Sequence, residues 1–430
     1  MRITFERVSY CRGLATALLC CCAAIANAST TYGVFDARTM AMGGVAVASA
    51  NNDNAQFYNS ALLAFNDEIE ERTRDARFWF PMLSPQLARA VIDAENIYSD
   101  DLHNALTRSV AEYNGAQDQT TARNVANISA DLRGSLQSIR DRELFVDAYA
   151  GVSLSEPGKF VGAGFFLGGR VLVSGTPTIT SSDLDLLSAY EEGLLFVASN
   201  GAEGQARPEL FDASGALIDP QGNYDSSVAA AGLTIIEVGV ASSHQIEVFG
   251  QKIAAGWTFK AINVRTFEDL QRFDNQRVDL NRSEQKDSGI NFDIGAVKDF
   301  GNGWRVGVAI KDIIPRDYAT TAGTRIKLRP RPRAGVSYQR GDWQFAADAD
   351  LVASQPLVGI NGVQEVAVGA EWVVEPWLRL RSGYRHDLNG GRRGAISVGM
   401  GTLWKRFAAD VAFLSGSQSV GMALQFGVVF

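Results

Sequence analysis

The final eleven residues, VGMALQFGVVF (Val420 to Phe430), constrain the fold of this chain more than any other stretch. Val420, Met422, Leu424, Phe426, Val428 and Phe430 share one parity; Gly421, Ala423, Gln425, Gly427 and Val429 share the other. Successive strand side chains point to opposite faces, so this strand has one wholly apolar face and one small or polar face. The same device recurs upstream. Trp304, Val306, Val308 and Ile310 alternate with Arg305, Gly307, Ala309 and Lys311. Phe407, Ala409, Val411 and Phe413 alternate with Arg406, Ala408, Asp410 and Ala412.

A soluble sandwich alternates too, so the connections must decide. Strands are expected near 75–82, 143–153, 160–173, 232–248, 252–265, 288–299, 303–314, 329–339, 342–352, 362–374, 376–386, 394–403, 405–414 and 419–430. Their connections alternate between tight turns (155–158, 249–251, 301–302, 340–341, 375–376, 404–405) and longer segments, the largest at 83–142 and 174–231. Tight turns at one end and long loops at the other mark a transmembrane barrel. Closure also leaves no unpaired backbone edge in lipid. The expected fold class is therefore all-β: an outer-membrane β-barrel of about fourteen antiparallel strands over 75–430. Trp257, Trp304, Trp343, Trp372, Trp377 and Trp404 lie at or near strand ends, as interfacial aromatic girdles would.

The N-terminus agrees. Residues 1–28 hold Arg2, Arg7 and Arg12, an apolar run from Leu14 to Ala26, and the cleavage pattern Ala26-Asn27-Ala28. This reads as a secretory signal peptide. All four cysteines (Cys11, Cys20, Cys21, Cys22) lie within it, so the mature chain has no disulfide to hold it and needs another device, such as ring closure. The leader carries three Arg and one Glu, which moves the net charge from −8 to −10 in the mature chain. So acidic a chain is not expected to bind nucleic acid.

Charges on the polar strand face acquire a place in this fold. Asp147, Lys260, Asp293, Arg305, Lys311, Asp348, Arg379, Arg381 and Asp410 must face the lumen, because a Lys or Arg facing mid-bilayer costs roughly 2–4 kcal/mol. They form either a neutralising salt-bridge lattice or a polar path or ligand site; the sequence leaves both open.

Between the leader and the first strand, residues 29–74 carry MAMGGVAVASANNDNAQFYNSALLAF (Met40 to Phe65), rich in small and amide side chains. It suits a plug inside the lumen: glycines permit close backbone approach and the amides offer donors and acceptors. Ala37-Arg38-Thr39-Met40-Ala41-Met42-Gly43-Gly44-Val45-Ala46-Val47-Ala48, then Asp53, Ala55 and Asn59-Ser60-Ala61, resembles the plug signature of the FadL-like outer-membrane β-barrel superfamily. Within it the chain is most similar to the TraF-like family (conjugal transfer protein TraF, plasmid transfer operon). Ser60 stands where that pattern has proline. The resemblance implies a site formed by Met40, Met42, Gly43, Gly44, Asp53, Phe57, Asn59 and Ser60. It implies a fatty acid or other hydrophobic ligand that passes the plugged lumen, and a terminal aromatic signal, Phe426 and Phe430, read by the barrel-assembly machinery.

Other segments carry weaker signals. Segment 83–142 has helical periodicity (Val125, Ile128, Leu132, Leu136, Ile139; also Leu87, Val91, Ala94, Ile97), and reads as an outer helical insertion, self-packed or collecting ligand. In the outer loop 174–231, Leu184, Leu186, Leu187 and Tyr190 with Leu194-Leu195-Phe196 form an apolar patch, read as a short amphipathic helix at the mouth and an apolar ligand entrance. The run Lys327 to Arg333 is read at the outer rim, either solvated or facing lipopolysaccharide phosphates. His103, His244 and His386 have no metal spacing, and no nucleophile motif occurs; no cofactor, metal or enzymatic activity is expected. Three functions follow as alternatives: a FadL-like channel in the outer membrane of a Gram-negative bacterium, in contact with lipid and lipopolysaccharide; a TraF-like interaction barrel serving envelope assembly, secretion or conjugal transfer without transport; or a soluble periplasmic β-protein.

Overall fold

The computed structural model describes residues 30–65, 76–99, 101–158, 161–200, 207–248, 250–272, 284–355, 357 and 362–430. The leader 1–28 lies outside them. The chain begins with two short helices, α1 (Ala37–Ala41) and α2 (Ala55–Tyr58), and a 3₁₀ turn (Ser60–Ala64). Fourteen antiparallel strands then close into one ring: β1 (Arg77–Ala88), β2 (Leu144–Glu156), β3 (Val161–Thr178), β4 (Ser227–Val248), β5 (Gln251–Arg272), β6 (Gln285–Asp299), β7 (Trp304–Lys311), β10 (Arg331–Arg340), β11 (Trp343–Asp350), β12 (Glu365–Glu375), β13 (Leu378–Asp387), β14 (Ala395–Trp404), β15 (Phe407–Gly416) and β16 (Ser419–Val429). A separate hairpin, β8 (Arg316–Ala319) and β9 (Arg325–Leu328), interrupts the series. β1 pairs with β16, Arg77 opposite Val429, and completes the ring.

The alternation sets the polarity of the wall. On β16, Met422 and Phe426 are exposed outward while Ala423, Gln425 and Gly427 are buried inward. On β7, Trp304, Val306 and Val308 face out. An apolar exterior around a polar interior is the arrangement lipid requires, and a single closed sheet rules out the two packed sheets of a sandwich. At the tight-turn end, Trp343 stacks on Trp372 with centroids 5.2 Å apart, Trp304 lies 4.7 Å from Tyr338, and Trp377 and Trp404 stand exposed. This is one aromatic girdle.

The sequence reading needs four corrections. β1 runs to Ala88, so Leu87 is a strand residue and not part of a helical stripe; the helices of this connection are α3 (Arg89–Ser99), α4 (Leu102–Ala116) and α5 (Gln119–Ile139). The Leu184–Phe196 patch belongs to a twenty-residue helix, α6 (Ser181–Asn200). Its Leu187, Tyr190 and Leu194 are buried with Val125, Leu132 and Leu136 of α5, so that face packs against a neighbouring helix rather than lining an entrance. The connection 315–328 contains the β8–β9 hairpin, which turns into the mouth. There Tyr318, Ile326 and Leu328 meet Leu172, Leu233, Ile235, Ile262 and Val264 on the inner face of the tall strands β3–β5. Finally, β15 and β16 are joined by residues 417–418 alone, so the alternation of connection lengths fails at its last member and the outer rim is lowest there.

Candidate functional site

The lumen is filled by residues 30–65. Local chemistry shapes them. Asp36 caps α1, accepting a hydrogen bond from the Thr39 amide at 2.9 Å. Gly43 and Gly44, at φ +76° and +102°, take the left-handed turn that ends it. Asn59 caps the 3₁₀ turn, accepting from the Ala61 amide at 3.2 Å, while its Nδ2 donates to the Val47 carbonyl at 2.8 Å. Ser60 takes the first position of that turn, where proline is also favoured, so the turn forms despite the departure from the family pattern.

The wall receives this segment through missing side chains. A Cβ on Gly383 would stand 2.2 Å from the Gly43 amide, and one on Gly369 2.4 Å from the Met42 carbonyl. One on Gly295 would stand 2.0 Å from Asn59 Oδ1, and one on Gly162 2.1 Å from the Leu63 carbonyl. Wall side chains supply hydrogen bonds between these contacts. Asp348 Oδ2 accepts from the amides of Ala46 (2.7 Å) and Val47 (3.0 Å). Ser397 Oγ accepts from the Gly43 amide and donates to the Ala41 carbonyl, at 2.9 and 2.8 Å. Ser337 donates to the Ala48 carbonyl at 2.8 Å, and Arg38 pairs with Glu371 at 3.1 Å.

All eight residues expected in the plug are buried inside the ring. Met40 packs with Ala395, Ala412 and Leu414, and Met42 with Ala346 and Ala367. The Asp53 carboxylate is held by Arg77 at 2.8 Å. Phe57 lies 4.8 Å from Phe166, 5.8 Å from Tyr149 and 5.8 Å from Phe35.

The inward charges form a lattice. Arg170 pairs with Asp147 at 2.7 Å. Lys260 pairs with Asp293 at 2.8 Å and Asp312 at 2.5 Å. Arg381 bridges Glu371, at 2.5 Å, and Asp410. Arg333 lies 3.7 Å from Asp348, and Arg305 pairs with Asp299 at 2.7 Å. Arg379 lines a cavity of about 300 Å³ at the tight-turn end, with Arg77, Arg381 and Trp377. Lys311 differs: its Nζ sits 4.1 Å above the Phe35 ring and 5.1 Å from the ring of Tyr32. The basic run also needs correcting. Arg331 and Arg333 are not rim residues; they point inward, Arg331 onto Asp312 and the Thr31 carbonyl.

Several residues of this centre were not singled out from sequence: Tyr32, Phe35, Tyr58, Tyr149, Phe166 and Arg170. Strand parity would have found Tyr149, which shares the inward face of β2 with Asp147, whereas no residue of β3 had been named. Tyr32, Phe35 and Tyr58 lie in the segment read as lumenal, but nothing local marks them as its aromatic centre.

Ring closure and an apolar exterior together define a transmembrane β-barrel, and its lumen holds residues 30–65 of the same chain. The chain belongs to the family described as F plasmid transfer operon, TraF, protein, which matches residues 56–350. No curated protein matches it. Similar solved structures include the CymD monoaromatic hydrocarbon channel (10% identity, TM-score 0.48, covering 92% of this chain and 97% of that one). A Pseudomonas aeruginosa FadL homologue is also similar (11%, 0.48, 93% and 98%), as is the Pseudomonas putida toluene transporter TodX (10%, 0.42, 94% and 99%).

Proposed function

We propose that this barrel sits in the outer membrane of a Gram-negative bacterium and binds or passes small hydrophobic molecules through its lumen, with residues 29–74 as the plug. One observation carries this reading. At mid-lumen, Phe35 and Phe57 of the segment meet Tyr149 and Phe166 of the wall. A water-filled pore keeps a polar, hydrated centre; here the centre is aromatic, and the charges around it are largely paired with one another. Toward the outer mouth the apolar inner face of β3–β5 is covered by the β8–β9 hairpin. A hydrophobic molecule meets compatible surface at the aromatic centre, and the plug yields by exchanging its own aromatic contacts for those of the cargo. A monoaromatic hydrocarbon and toluene are the cargo named for CymD and TodX, and fatty acids fit the same surface. The barrel acts as a conduit, not an enzyme. Its leader, residues 1–28, is removed on export, and Phe426 and Phe430 present the terminal signal to the assembly machinery.

The test is mass spectrometry of small molecules that co-purify with the folded protein from outer membranes, with an empty barrel of similar size as control. Enrichment of a specific fatty acid or hydrocarbon supports the channel. No enrichment over the control overturns it and favours an interaction barrel of the kind the family description suggests, with α3–α6 as its outer face.

A further inference from the structure

Two cavities near the outer end of the barrel share one pair of lining side chains. The outer cavity, about 220 Å³, opens above the two-residue β15–β16 connection, at the lowest point of the rim, and is lined by Arg89, Arg142, Glu143, Gln418 and the glycines 390 and 391. The inner pocket, about 30 Å³, reaches the start of the N-terminal segment at Thr30 and Thr31 and touches Leu172, Leu357 and Val363. Leu172 and Leu357 belong to the apolar cluster at the mouth. Phe145 and Arg392 line both spaces.

Their geometry is that of a closed door. The Arg392 guanidinium carbon lies over Phe145, 3.8 Å from the ring centroid. It also donates two hydrogen bonds to Glu143, at 3.2 and 3.4 Å. The frame is fixed independently of the door. The Arg392 amide donates to Asp387 Oδ2 at 2.9 Å, and Asp387 Oδ1 accepts from the amides of Gln364 and Asn389. Beneath, the Gln418 carbonyl accepts from the Arg89 amide at 2.8 Å, and Gln418 Oε1 from the Arg393 amide at 2.8 Å. The Arg392 side chain can therefore swing while its backbone stays anchored. The side chains of the pair are 19% and 18% exposed, so salt screens this bridge less than one on the open surface.

We infer that the low rim above β15–β16 is the entrance for the small hydrophobic cargo, and that Arg392 is the residue controlling access from it to the inner mouth. This rests on the channel reading above. When Arg392 leaves Glu143, Phe145 becomes an apolar sill between the outer space and the Leu172–Leu357 surface.

The experiment uses the full chain with Val363→Cys as reporter in the inner pocket; the native cysteines lie at 11 to 22, in the leader expected to be removed, and the protein without the reporter gives the baseline. A small charged methanethiosulfonate reagent is applied to the folded barrel, with folding checked by heat-modifiable migration. Labelling should be at least about tenfold faster in Arg392→Ala and in Glu143→Gln than with the pair intact. Equal rates in both variants overturn the doorway. The readout needs no cargo. Unchanged labelling therefore removes the entrance and leaves the channel standing, whereas faster labelling without any co-purified hydrophobic molecule removes the cargo.

Discussion

Gly383 of β13 and Gly43 of the N-terminal segment meet backbone to backbone, so close that a Cβ on Gly383 would lie 2.2 Å from the Gly43 amide nitrogen. The listener for this contact is main chain and cannot bend away. Gly383→Ala should therefore displace the segment without preventing ring closure, because a strand accepts alanine readily. Limited proteolysis should cut between 30 and 65 in Gly383→Ala at protease levels that leave the parent intact. Equal resistance in the two proteins would show that the segment is not seated by this contact.

Asp348 holds two amides of the segment and faces the Arg333 guanidinium. Removing it leaves a buried cation short of a partner, a change that typically costs about 3–5 kcal/mol. Asp350, 3.4 Å from Arg333, offsets part of this. Asp348→Ala should lower the temperature at which the barrel loses its compact migration by several degrees, and Asp348→Asn by less. No shift in either would mean that the segment is held elsewhere.

At Ser60 the family pattern can be restored. The residue opens a 3₁₀ turn, where proline is pre-organised and its missing amide is not needed. Ser60→Pro should be neutral or stabilise by about 0.4–1 kcal/mol. A clear fall in thermal stability would indicate that the Ser60 side chain itself is required against Gly256.

Outside the membrane wall, Asp118 caps α5, and its hydrogen bonds from the Thr121 amide and hydroxyl hold its carboxyl below the usual range. A depressed folded value gives stability that is full above the unfolded value, about 3.9, and lost as pH falls through the folded one. Amide exchange at the start of α5 should therefore quicken, beyond its intrinsic dependence, only below about pH 4. Asp118→Asn should abolish that dependence.

Phe430 closes the last strand, its amide donating to the Ala76 carbonyl at 2.9 Å and its ring exposed. Phe430→Asp puts a charge on the outward face and should abolish membrane-assembled, heat-modifiable protein. Normal yield of that variant would count heavily against Phe430 as an assembly signal.

How much of this was legible depended on the range of the interaction. Period two is a local property, so the strands, their inward parity and the tight turns could be read directly, and Lys260, Asp348 and Asp410 are inward as read. Parity says nothing about depth. Arg331 and Arg333 sit at the outer end of β10, and only the ring places them against Asp312 and Asp348 rather than at the rim. Likewise the leucines of α6 announce an apolar face but not what covers it; α5, some fifty residues earlier in the chain, does. The named residues of the N-terminal segment lie in one short stretch of chain, while the glycines that receive them are scattered over strands distant in sequence.

The pairing of β1 with β16 has a consequence for manufacture. The first strand made must wait for the last before the ring can shut, and residues 30–65 precede both. The segment touches the far wall, β13 to β16, as well as the strands that follow it in the chain. Its seat is therefore incomplete until the last strands are in place, and the stitch that shuts the wall also finishes the cradle that holds its contents.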